Sequence, residues 1–142
     1  MREILFRGKT VGGEWVYGDL LHDGFDYDVA IWEIETKLVT EVIPETVGQF
    51  TGLTDKNGKK IFEGDIVKDF IPFNFTIGGK KEFEENVYVV EYCVQKCGFK
   101  PFCETDYYGQ PIIEECKVIG NIHDNPELLE KYGLEYSDDE DY

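Results

Sequence analysis

Glu63 and Asp65 flank Gly64 in the run Lys60-Ile-Phe-Glu-Gly-Asp-Ile-Val-Lys68. Two carboxylates this close can share acid and base work, or hold a cation if enclosed. The same spacing has a structural reading. A Gly-Asp pair entering an Ile-Val strand turns the chain, and the aspartate accepts hydrogen bonds from local backbone N–H groups. The structural reading is the expectation here. His22 and His123 are the two histidines, and His22 precedes Asp23, an order that allows an Asp–His pairing. Cys93, Cys97, Cys103 and Cys116 fall within 24 residues, spaced C-x3-C-x5-C-x12-C. Structural zinc sites use paired C-x2-C knuckles, which this spacing lacks. Free, partly buried thiols are therefore expected, with no metal. Ser137 is the one serine, and neither G-x-S-x-G nor a glycine-rich phosphate loop is present. No residues form a recognisable catalytic constellation, so the chain is not expected to be an enzyme or to carry a cofactor.

A second candidate is a binding surface. Pro44-Glu-Thr-Val-Gly-Gln-Phe-Thr-Gly52 is dense in polar groups, and Glu45, Thr46, Gln49 and Thr51 could line a groove. The competing reading is a strand edge whose hydroxyls and amide satisfy neighbouring backbone. Trp15, Tyr17 and Trp32 read as core rather than as a ligand platform.

Strands must position these residues. The chain is rich in Val, Ile, Thr, Tyr, Phe and Trp and is punctuated by 15 glycines. Strand-like segments fall at Glu3–Gly8, Glu14–Leu21, Tyr27–Glu35, Leu38–Ile43 and Thr46–Thr51. Others fall at Lys60–Lys68, bent at Gly64, at Glu82–Val94 and at Cys116–Ile119. Asp55-Lys-Asn-Gly-Lys59 reads as a hairpin turn of type I′, with positive φ at Asn57 and Gly58. One helix is expected near residues 126–132: Asn125 as N-cap, Pro126 at the first position, and Gly133 with Leu134 closing a Schellman motif. The expectation is a mainly β fold (α+β at the margin), a single compact domain of roughly eight to ten strands. An N-G hairpin followed by G-D-I-V suggests an SH3-like, partly open barrel, an analogy of fold that carries no function.

Length and charge bound the partners. At 142 residues the chain is the size of one domain. Thirty acids against 14 bases give −16, which argues against binding a phosphate backbone or an anionic membrane surface. Residues 135–142 hold five acids and no base, leaving −11 for residues 1–134. A folded domain over 1–134 and a solvated, disordered tail over 135–142 are expected. The longest apolar runs, Val29–Trp32 and Val87–Val90, are too short to span a bilayer, and the N-terminus lacks the apolar core of a secretory signal. Both point to the cytoplasm. Exposed β edges favour self-association.

These segments together resemble the YopX-like proteins of phages and prophages. The carrying residues are Arg2-Glu-Ile-Leu-Phe-Arg-Gly-Lys9, Gly13-Glu-Trp-Val-Tyr-Gly-Asp-Leu20 and Pro44-Glu-Thr-Val-Gly-Gln-Phe-Thr-Gly-Leu-Thr-Asp-Lys-Asn-Gly58. Ile61-Phe-Glu-Gly-Asp-Ile-Val67 and Val118-Ile-Gly-Asn-Ile-His-Asp-Asn-Pro-Glu-Leu-Leu129 complete the match. Residues from about 69 to 117, including all four cysteines, carry no matching motif. The resemblance implies a largely β domain, a phage or prophage origin and no activity to carry over. The functional expectation is a non-catalytic accessory protein that binds another protein. The alternative, drawn from the charge, is an acidic DNA mimic that occupies a nucleic-acid-binding protein.

Overall fold

A computed structural model of the chain describes residues 1–24, 27–69, 73–84, 86–113 and 115–136. The expected tail beyond residue 136, with Ser137, lies outside the described residues. Thirteen strands and one short helix are present among the described residues, so the fold is mainly β. Within this mainly β fold the chain packs as two compact units, residues 1–53 and 54–136.

The first unit is an antiparallel sheet. Its strands are β1 (Phe6–Lys9), β2 (Trp15–Gly24), β3 (Tyr27–Glu33), β4 (Val39–Glu41) and β5 (Gly48–Thr54). They lie in the order β4-β3-β2-β1-β5. Alternation decides the two faces. Val16, Val29 and Ile31 point to one side, where they pack with Val42 and Val47. Gly8 lets β1 approach this layer closely: a Cβ there would lie 2.8 Å from the Val42 side chain. Lys9 pairs with Trp15 and Arg7 with Tyr17, which places these four residues on the opposite face. The Arg7 guanidinium sits 4.6 Å above the Trp15 ring. Trp15 and Tyr17 share this face, but Tyr17 is an exposed residue rather than the core residue expected.

The second unit is built around β7 (Asp65–Asp69), which lies between β10 (Val87–Val89) and β13 (Cys116–Asn121). Ile66 and Val67 alternate sides of β7, and both are fully buried. Val67 joins Ile61, Val90, Ile113, Cys116 and Val118. Ile66 joins Val89 and Ile122, with Leu128, Leu129 and Leu134 packed against them. Short hairpins complete the unit: β11 (Glu91–Cys93) with β12 (Gly98–Lys100), and β8 (Phe73–Ile77) with β9 (Lys80–Glu84). β6 (Lys60–Phe62) leads from the Asp55 turn toward β7. The strands are shorter and more numerous than the expected eight to ten; the expected Glu82–Val94 strand, for one, is interrupted at Val90 between β10 and β11. Among the described residues no sheet closes into a barrel.

The helix α1 (Glu127–Lys131) falls where expected. Its C-terminus forms the Schellman pair: Gly133 N–H to Glu130 C=O at 3.3 Å and Leu134 N–H to Leu129 C=O at 2.8 Å. Gly133 takes the left-handed conformation (φ +62°) that this cap needs. The N-terminus differs from expectation. Pro126 occupies the cap position, and no side chain caps the helix. The Asn125 side-chain oxygen accepts from Asn121 N–H instead, at 3.2 Å.

Candidate functional site

Asp65 is buried, and its Oδ2 accepts the N–H of Phe62 at 2.8 Å. This is the local backbone role expected of a Gly-Asp pair. Gly64 adopts φ +89°, donates to Val90 C=O and accepts from Ile122 N–H. The Glu63–Gly64 turn therefore ties β6 and β7 to two distant segments. Glu63 is buried beside it. His123 also approaches here, 3.5 Å from where a Gly64 Cβ would stand. Sequence reasoning did not pair His123 with this turn, because 58 residues of chain intervene. His22 lies on β2 in the first unit, opposite Val29.

The Pro44–Gly52 residues separate by role. Glu45 is exposed on a short 3-10 turn, Pro44–Thr46. Thr46 is buried, and its Oγ1 accepts Lys9 N–H at 2.8 Å and donates to Ile43 C=O at 2.6 Å. Gln49 and Thr51 are half-buried on β5, and the Thr51 hydroxyl accepts Leu53 N–H at 3.2 Å. Thr46 and Thr51 thus satisfy backbone, as in the competing reading of this segment.

All four cysteines are free thiols: Cys93 and Cys116 buried, Cys103 half-buried, Cys97 exposed. Burial, with Asp55, Asp69 and Asp65 nearby, pushes the Cys116 thiol up to about 11. Such a thiol stays protonated and inert at neutral pH. Burial also raises Cys103, and Cys93 adds to the shift. No group of three or more metal-ligating side chains assembles among the described residues.

A structural theme recurs at three turns. At Asp55-Lys-Asn-Gly-Lys59, Asp55 Oδ1 accepts Asn57 N–H and Lys59 N–H, both at 2.9 Å. Asp55 N–H donates to Lys59 C=O, and Gly58 N–H donates to Asp55 C=O. Asn57 does not share the positive φ of Gly58, so the expected type I′ turn is corrected to a three-residue hairpin with a left-handed glycine. The Asp55 carboxylate selects it by bonding two N–H groups that a type I′ turn would aim elsewhere. Thr10-Val-Gly-Gly-Glu14 repeats the backbone bonds, with Thr10 Oγ1 accepting Glu14 N–H. Asp106-Tyr-Tyr-Gly-Gln110 repeats them again. Asp106 Oδ1 accepts Tyr108 N–H at 2.8 Å and Gln110 N–H at 2.9 Å, and Gly109 has φ +80°.

The three turns differ in what they hold at the tip. Asp55 faces inward, its Oδ2 taking Val118 N–H from β13 at 3.0 Å. The Asp106 turn holds Tyr107 and Tyr108 outward, 96% and 83% exposed. Their rings meet edge to face with centroids 5.4 Å apart. The turn's hydrogen bonds need only Asp106 and Gly109, so the fold itself gives no reason for two tyrosines.

A small, mainly β protein with antiparallel sheets, buried carboxylates bound to backbone and an aromatic hairpin tip is the class these features define. The sequence profile described as "YopX protein" matches residues 5–130, and the chain belongs to that family. The crystal structure of protein EF1440 from Enterococcus faecalis is similar: 25% identical, with a TM-score of 0.54, over 91% of this chain and 99% of that one. No curated protein matches the chain.

Proposed function

We propose that the protein is a non-catalytic binding module that docks another protein through the Tyr107–Tyr108 tip, acting as an accessory protein of phage or prophage origin in the cytoplasm. The exposed tyrosine pair carries this reading. Tyrosine offers a large amphipathic contact area at low side-chain entropy cost, which is why it is enriched in protein interfaces. Here the loop is already ordered by four hydrogen bonds involving Asp106, so docking need not order it. The non-catalytic part draws support from the carboxylates. Asp55 and Asp65 are engaged with backbone N–H groups, and burial holds Cys116 protonated. Among the described residues no helix is long and apolar enough to cross a membrane.

Affinity capture from native cells tests the proposal when wild type is run beside the Tyr107→Ala/Tyr108→Ala variant. A discrete protein retained by wild type and reduced at least tenfold with the variant is expected, since hot-spot tyrosines cost about 1.4 kcal/mol or more on truncation. Equal retention by both proteins, or no retained protein, contradicts it.

A further inference from the structure

A cleft opens in the second unit between β10, the start of β11, the Lys100–Glu104 segment and the chain after α1. Val87, Val89 and Leu134 line it with apolar surface over the fully buried Pro101, and Glu91, Glu104 and Glu135 bring carboxylates to it. One ammonium faces these three carboxylates: Lys100, whose Nζ lies 4.0 Å from Glu104. The cleft encloses about 190 Å3, below the roughly 300–1,000 Å3 of sites that take a whole small molecule. It is sized for a single side chain.

Apolar walls with an anionic mouth fit one kind of side chain: a long aliphatic stem ending in a cation. Arginine fits better than lysine. Its planar guanidinium can serve two carboxylates at once and gives up its hydration more readily than an ammonium. We infer that this cleft receives an arginine side chain from a partner protein, with the stem against Val87, Val89 and Leu134 and the guanidinium toward Glu91 and Glu104. The inference rests on the proposed binding role and adds what the partner must present. A basic partner segment also complements the net charge of −16, which steers such a segment toward the molecule.

The probe is N-acetyl-arginine amide, titrated into the full chain and followed by amide NMR shifts. The controls are N-acetyl-citrulline amide, which has nearly the same shape without the charge, and the Glu91→Gln/Glu104→Gln variant. Saturable shifts confined to residues around 87–91, 100–104 and 134–135 are expected, with Kd on the order of 1 mM. At least fivefold weaker binding is expected for citrulline amide and for the variant. An unchanged fold in the variant, shown by shifts outside the cleft, makes its loss of binding local. Equal binding of citrulline amide, equal binding by the variant, or non-saturating shifts spread over the acidic surface would each overturn the inference. If the cleft fails while partner capture still depends on Tyr107 and Tyr108, only the arginine inference falls.

Discussion

At the scale of single residues, the acidic side chains divide into those that hold the fold and those left at the surface. Asp55 belongs to the first group. Burial alone would push its carboxyl upward, but N–H donors from Val118, Lys59 and Asn57, with the Lys59 ammonium, more than offset this and hold it below 3.8. A carboxyl depressed in the fold stabilises above its unfolded value, and that contribution is lost as pH falls through the folded value. Asp55→Asn is therefore expected to lower stability by about 1–3 kcal/mol at pH 7, because asparagine presents one acceptor oxygen and no charge. The gap to wild type should narrow as pH drops from about 5 toward 2. Urea unfolding at several pH values checks this, and a gap that stays constant across that range would show that Asp55 is not the titrating tie. Asp65 was readable in advance because Gly-Asp before an apolar strand is a local signal. The Asp55 link to Val118 was not, because it spans 63 residues of sequence.

At the scale of elements, turn chemistry and close backbone approach set the architecture. Local rules found the Schellman cap of α1 through Gly133 and Leu134. They misread Asn57-Gly58, because N-G favours type I′ only when nothing else claims the backbone, and Asp55 claims two N–H groups. Backbone proximity yields a sharp prediction at Gly18. A Cβ there would collide with the Trp32 carbonyl on β3, a backbone atom that cannot swing away. Gly18→Ala is expected to cost about 3 kcal/mol by forcing β2 from β3. Gly12→Ala, whose Cβ would meet only Thr10 Oγ1 at 3.7 Å, should change stability by about 0.5 kcal/mol or less. Denaturant midpoints of the two variants compare them directly. Similar midpoints would show that the β2–β3 approach is not tight.

At the scale of the whole molecule, three of the 30 acids, among the described residues, are withdrawn from the surface. Asp55, Glu63 and Asp65 are buried, so they cannot form an outward row of phosphate-like charges. The surface feature that the fold does not require is instead aromatic. Composition could not reveal it, because 21 aromatic residues are ample to build a core and nothing in the sequence says which stay outside. Only the Asp106 turn shows that Tyr107 and Tyr108 are held in solvent. The most direct measurement is a photocrosslink from that tip in native cells. A benzophenone amino acid replaces Tyr107 in one variant and Asn57, at the tip of the matching Asp55 turn, in another. The binding-module account predicts a discrete protein adduct from position 107 and none from position 57. No adduct from 107, or equal adducts from both turns, would contradict it.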